Sequence, residues 1–171
     1  MKLLLTLDSR DYTEQMPLYE RVVVRAVICH EGRLLVQLGA RGDYKIPGGG
    51  VDKGESNLAA LHREVLEETG FCVLEDSVEE IGEVCEIRED IKKPGQKYVC
   101  HGLYYKCGID PSSRNGLCLT ESEKKAGYRP VWEYPDRIIE QNRKVLKKYW
   151  QVRDTEFLEH WRSTGYRKEN I

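Results

Sequence analysis

The sequence predicts an α/β fold, a mixed central sheet covered on both faces by helices. Three observations point to it. Runs rich in valine, isoleucine and leucine, with strand character, recur at residues 20–29, 33–39, 78–89, 97–107 and 130–134. Two longer segments, 56–70 and 135–150, repeat their apolar residues at helical spacing instead. The stretches between are short and carry Gly, Pro, Asn and Asp. Strands interleaved with helices bury their apolar faces best as layers, with helices packed on the sheet. The 171 residues suffice for one domain with its own core. With no repeat, low-complexity tract or linker in sight, a single domain is expected over residues 1–171.

In chain order, Met1–Leu5 starts like a signal segment, but Thr6, Asp8, Ser9 and Arg10 end the apolar stretch too soon. A short edge strand fits better. The runs 20–29 and 33–39 flank His30-Glu31-Gly32, a tight turn, and read as a hairpin. Arg25 sits mid-strand, where a charge needs a partner: a phosphate in a cleft, or an ion pair with a neighbouring strand. Pro47 leads into Gly48-Gly49-Gly50, whose backbone has freedom that side chains forbid. A helix should start at Ser56 or Asn57, both good N-caps, and stop at Gly70. Leu58, Leu61 and Val65 give it an apolar stripe. Lys92-Lys93-Pro94-Gly95 turns the chain between the strands 78–89 and 97–107, and 117–119 reads as another strand end. Residues 120–128 are polar and read as a loop. Pro135 suits a helix N1 position. Ile138, Ile139, Val145, Leu146, Tyr149 and Trp150 continue that helix, and Phe157, Leu158 and Trp161 mark a last short one, placing the C-terminal helices at about 135–165.

Composition narrows the function. With 27 basic and 29 acidic residues the net charge is −2, which exerts no general pull on nucleic acid or an anionic membrane. No apolar run reaches the length of a membrane span. Of the six cysteines, Cys29, Cys72, Cys85, Cys100, Cys107 and Cys118, none forms a Cys-x2-Cys pair. A zinc site thus has little support, and reduced thiols in a cytoplasmic protein are the expectation. The four histidines, His30, His62, His101 and His160, form no cluster in sequence and read as structural or surface residues.

The chemistry lies at residues 49–71, GGVDKGESNLAALHREVLEETGF. Glu64, Glu67 and Glu68 fall on one strip of the helix, within about 100° of arc. Like charges about 4 Å apart repel by roughly 1 kcal/mol in water and about 4 kcal/mol at an effective dielectric of 20. Concentrating them beside a glycine loop points to a divalent cation, and oxygen-only ligands suit Mg2+ or Mn2+ rather than zinc. Arg41 and Lys45, just before the glycines, are candidate phosphate contacts or ordinary surface charges. Tyr44, Tyr128 and Trp132 could stack on a nucleobase or lie in the core, the core being preferred for Trp132.

The stretch also fits Gly-x5-Glu-x7-Arg-Glu-U-x-Glu-Glu-x-Gly-U, with U a bulky apolar residue. Gly49, Glu55, Arg63, Glu64, Val65, Glu67, Glu68, Gly70 and Phe71 fill every fixed position. This is the Nudix box, and the chain resembles a MutT-like Nudix hydrolase. The resemblance implies an α/β/α sandwich with a mixed central sheet. It implies hydrolysis of a phosphoanhydride in a nucleoside diphosphate linked to another moiety. It assigns metal binding to Glu64, Glu67 and Glu68, with the Gly49 carbonyl often joining them. Members differ in their base: Glu64 ranks first here, and Glu121 or Glu123 second, since some members use a downstream loop glutamate. The alternative for those two is a solvated loop charge. In the family's pattern Glu55 and Arg63 pair and hold the loop against the helix. Dimers are common in the family, and the N-terminal strand or C-terminal helix could mediate one.

Substrate is less legible. Family members preferring ADP-ribose often carry a proline about 15 residues past the box, where Glu86 and Arg88 stand here. Diadenosine polyphosphate hydrolases often have a tyrosine there, and none lies between Phe71 and Tyr98. A nucleoside triphosphate or similar small nucleotide is therefore the leading expectation. A nucleotide-sugar or dinucleotide pyrophosphatase is the alternative, and a non-catalytic nucleotide-sensing or partner-binding module stands in another class.

Overall fold

The computed structural model describes residues 1–145 and 148–164. In chain order the strands are β1 (Leu3–Asp8), β2 (Leu18–Val27), β3 (Cys29–His30), β4 (Arg33–Leu38), β5 (Tyr44–Lys45), β6 (Cys72–Val73), β7 (Glu79–Glu89), β8 (Lys97–Lys106), β9 (Ile109–Asp110) and β10 (Arg129–Glu133). The helices are α1 (Asn57–Thr69), α2 (Glu121–Ala126), α3 (Pro135–Val145) and α4 (Tyr149–Ser163). One sheet is mixed, in the order β1-β7-β8-β2, with β1 parallel to β7, β7 antiparallel to β8 and β8 parallel to β2. A second, antiparallel sheet runs β10-β4-β3, with β5 paired to β4, and β6 pairs with β9 in a small ribbon.

The side-chain alternation of β2 explains the layering. Val24 and Ala26 face one core cluster with Ala60, Leu61 and Val65 of α1 and Leu103 and Tyr105 of β8. Val27 faces the other, with Tyr104, Ile138 and Ile139 of α3, and Phe157 and Leu158 of α4. The sheet is thus sandwiched between α1 and the C-terminal helices, the α/β/α arrangement expected. Arg25 shares the second face. Its guanidinium pairs with Asp154 of α4 at 3.4 Å, where both side chains are almost fully buried. Tyr104 stacks on Phe157, ring centroids 3.6 Å apart, and donates its hydroxyl to the same Asp154 at 2.8 Å. Asp154 also accepts the Ile46 amide at 3.4 Å, so α4 anchors the chain just ahead of the glycine loop.

Several expectations need correction. The hairpin is confined to β3 and β4, turned by Glu31 and Gly32 at φ 48° and 77°. The longer run before it, β2, crosses to the other sheet and pairs with β8 through ten residues. Residues 117–119 form no strand. Residues 120–128 hold a short helix rather than only a loop, because Thr120 and Glu123 form a capping box and Gly127 closes it at φ 69°. Tyr149 and Trp150 do not extend the helix described over Pro135–Val145 but open α4, which is 15 residues long and capped by an extended Lys148. Leu146 and the end point at residue 165 lie outside the described residues.

Candidate active site

Helix α1 is built to present carboxylates from a fixed base. Ser56 Oγ accepts the Ala59 amide at 3.1 Å, and Gly70, at φ 77°, returns its amide to the Leu66 carbonyl at 2.9 Å. Ala60, Leu61 and Val65 are fully buried, whereas Leu58, in the first turn, is 48% exposed and drops out of the expected stripe. Glu68 lies seven residues after Leu61 and three after Val65, so the helical period sets it on the apolar stripe itself. It is 2% exposed. Glu64 stands mostly covered beside it, and Glu67 is the most open of the three.

The glycine loop runs antiparallel along β2. Val24 donates to the Gly49 carbonyl at 2.9 Å, Ala26 to the Pro47 carbonyl at 2.8 Å, and Val51 to the Val22 carbonyl at 3.1 Å. At Gly48 φ is 136°, and a Cβ would strike the Val24 carbonyl; at Gly49 it would strike the Glu64 carboxylate. Gly48 therefore needs glycine, while a side chain at Gly49 would push aside Glu64, which lies directly against the loop. The Gly49 carbonyl expected among the metal ligands is already engaged by β2, leaving only its second lone pair.

Two side-chain cations hold the acidic cluster together. Arg63 forks onto Glu55 with two bonds of 2.9 Å, reaches the Gly50 carbonyl at 3.0 Å, and extends Nη1 to Glu64 at 2.7 Å and Glu67 at 3.4 Å. The expected Glu55–Arg63 pairing is thus in place and ties loop to helix. Arg63's hydrogen bonds, with the Asp52 amide, hold Glu55 down at about 2. Lys45 is the second cation, bonding Glu68 Oε1 and, at 3.0 Å, Glu123 Oε1. Glu68 Oε2 accepts the Gly48 amide at 2.8 Å. Burial, helped by Glu123, pushes the Glu68 carboxyl up to about 7 against the pull of Lys45. Glu123 comes down to about 2 despite its own burial, through Glu68, Lys45 and Thr120.

The other predicted residues divide. Glu123 joins the cluster through Lys45, but Glu121 is exposed and paired with Lys124 at 2.9 Å. Arg41 stands exposed on the turn before β5. Arg25 does not line a cleft: it is 4% exposed, consumed by Asp154 and the Val24 carbonyl. Tyr44 is not a stacking platform either, being 5% exposed, in the second core cluster, with its hydroxyl on Glu133 at 3.1 Å. Tyr128 is buried on Asp43 at 2.6 Å, and Trp132 packs against the first core cluster as expected. Sequence reasoning missed Gln37, which is buried and donates its amide to the Glu68 carbonyl. It also missed Arg88, held between the rings of Tyr98 and Tyr149 at 4.1 and 4.5 Å. Gln37 sits on a strand whose inward positions are otherwise apolar, the one signal that could have flagged it.

The donor set fits a hard divalent cation. Glu64, Glu67, Glu68 and Glu123 offer carboxylate oxygen alone, and the lysine ammonium between Glu68 and Glu123 marks where the cluster holds positive charge. Carboxylates converge on a glycine loop from a helix packed on a mixed sheet in an α/β protein. Residues 19–165 match the NUDIX domain family model, and the chain belongs to the Nudix family as a Nudix hydrolase. Among solved structures it is similar to a NUDIX hydrolase from Nitrosomonas europaea, with 22% identity, 85% of this chain and 90% of that one covered, and a TM-score of 0.55. It is also similar to the E. coli ORF135 protein, with 21% identity, 88% and 93% covered, and a TM-score of 0.50. A third likeness is to a MutT protein from Bacillus halodurans, with 21% identity, 71% and 72% covered, and a TM-score of 0.47. The first two likenesses show the fold. No curated protein sequence matches the chain.

Proposed function

We propose that the protein hydrolyses a phosphoanhydride bond of a small nucleotide, foremost a nucleoside triphosphate, with Mg2+ or Mn2+ held by Glu64, Glu67 and Glu68. One observation carries this reading: Glu64 and Glu68 close on the glycine loop, with Glu67 and Glu123 tied to them through Arg63 and Lys45. A bound divalent ion supplies neutralisation of phosphate charge and a more acidic water. The remaining work falls to the chain itself. The bare backbone of Gly48–Gly50 admits a diphosphate to the main chain. Arg63 fixes the angle between loop and helix, so that Glu64 stays against Gly49. Glu64 is the first choice for removing the proton from the attacking water, being close to the loop and bonded by Arg63 alone among the two cluster cations. Glu123 is the second choice, since Lys45 ties its carboxylate to the acidic cluster, although its low proton affinity makes it the weaker base. Lys45 and the exposed Arg41 remain the proposed phosphate contacts, Lys45 by exchanging a carboxylate for a phosphate oxygen.

A panel of nucleotides with Mg2+, followed by product analysis, tests the proposal. Pyrophosphate released from a triphosphate supports it. Two monophosphates from a diphosphate diester would support the nucleotide-sugar or dinucleotide reading instead. No turnover on any of them would favour a nucleotide-sensing or partner-binding module, against which the complete set of box glutamates argues. Six cysteines with no disulfide among them fit a cytoplasmic setting. No described helix is long and apolar enough to cross a membrane. Self-association through β1 or α4 is part of the proposal and is read by light scattering.

A further inference from the structure

We infer that Glu83, Cys85 and His101 form a second metal site, for a borderline-soft divalent cation of the Zn2+ class, on the mixed sheet. Strands β7 and β8 set Cys85 directly opposite His101, and Glu83, two residues earlier on β7, projects from the same face. One donor atom from each of the three lies within 4.8 Å of the other two. His101 Nδ1 is 2.6 Å from Glu83 Oε1. All three side chains are half-buried: sheltered from bulk water, yet reachable by an ion. Glu20, on the neighbouring strand β2, approaches the other ring nitrogen, Nε2, at 3.8 Å. When Nδ1 binds a metal, the imidazole's proton must reside on Nε2, the side Glu20 faces, which is how carboxylates orient metal-bound histidines.

The donor chemistry separates this site from the first. A nitrogen, a sulfur and an oxygen match the tetrahedral preference of zinc, with a water in the fourth position, and the nitrogen and sulfur are poor ligands for magnesium. The two sites share no residue. Paired strands hold the three ligands on a rigid frame, so little ordering is needed on binding. Binding releases the thiol proton to solvent and leaves Cys85 as thiolate. The residues are scattered over positions 83, 85 and 101, without the Cys-x2-Cys spacing of sequence-legible zinc sites, because sheet register assembles them.

Cobalt titration of the chain in millimolar Mg2+ tests the inference. A near-ultraviolet thiolate-to-cobalt charge-transfer band should saturate at one equivalent and vanish on adding Zn2+. Cys85→Ser should abolish it, while Cys72→Ser and Cys118→Ser, at the two exposed cysteines, should keep it. Glu20→Gln should weaken Zn2+ binding by about tenfold. Independently of any substitution, Zn2+ should protect Cys85 from alkylation, read by peptide mass spectrometry. A missing band, a band that survives Cys85→Ser, or a Cys85 that alkylates freely in saturating Zn2+ would overturn the site.

Discussion

Glu67 and Glu68 share a chemistry and differ in setting, and that difference shapes what their loss should do. Glu68 is sealed against Gly48 and Lys45, while Glu67 is half-open and touches Arg63 at 3.4 Å. Converting either to glutamine removes a charged oxygen without changing shape. If a ligand contributes about 3–4 kcal/mol to the transition state, each variant should turn over about 10²–10³-fold more slowly at saturating Mg2+. Glu68→Gln should carry an extra signature, a loss of thermal stability, because it leaves the Lys45 ammonium with Glu123 as its one carboxylate partner. Steady-state release of phosphate or pyrophosphate, run beside thermal melts, measures both, and near-normal rates in both variants would refute the assignment. The downstream pair makes a sharper comparison. Glu121→Gln should leave the rate within a factor of about two, since its carboxylate is a solvated partner of Lys124. Glu123→Gln should slow it by about tenfold or more, through the loss of its charge beside Lys45 in the acidic cluster. Equal effects would show that position in the cluster is immaterial.

The short helix α2 exists to place Glu123, and its stability rests on its first residue. Thr120 accepts the Glu123 amide while the Glu123 side chain returns to the Thr120 amide at 2.9 Å. Thr120→Ala should cost about 1 kcal/mol, and it should cut activity although residue 120 is absent from the acidic cluster. Thr120→Ser, which keeps the hydroxyl, should restore both, and activity that is unchanged in Thr120→Ala would separate the cap from the site. That capping box was written in the sequence, but a polar segment with no apolar period masked it. Helix α1 was legible because cap, stripe and terminal glycine agree within a single stretch, and the Glu55–Arg63 fork came with the motif's spacing. The strand pairing of β2 was not, because the local turn at Glu31-Gly32 suggested a hairpin while the true partner, β8, lies some 80 positions on. Distance in sequence hid the rest as well. Arg25 finds Asp154 across 129 positions, and Lys45 finds Glu123 across 78, so neither pairing leaves a local pattern. What a single helix could organise was readable, and what sheet register and the last helix bring together was not.

Across the whole molecule, burial of charge links stability to proton concentration. The layer between the sheet and α4 contains Arg25, Asp154, Arg153, Glu86 and Arg88, nearly all of it removed from solvent, and each of these charges has an opposite charge at 2.7–3.6 Å. Glu68 is different, since it is buried with its proton affinity raised to about 7 from an ordinary 4.5. Between those two values the folded chain holds a proton that the unfolded chain would release. The resulting stabilisation is complete below 4.5 and is lost as pH rises through about 7. Glu123, held at about 2, acts in the opposite sense, but its contribution is already complete above 4.5 and adds no slope in this window. With a chelator present, the melting temperature should therefore fall as pH rises from about 5 to about 8. Added Mg2+ should reverse the trend at the upper end, because a bound cation favours the ionised carboxyl. Glu68→Gln carries no titrating proton at this position and should flatten the metal-free profile. A metal-free slope that is the same in wild type and Glu68→Gln would place the proton on another group and remove Glu68 as the link between folding and metal binding.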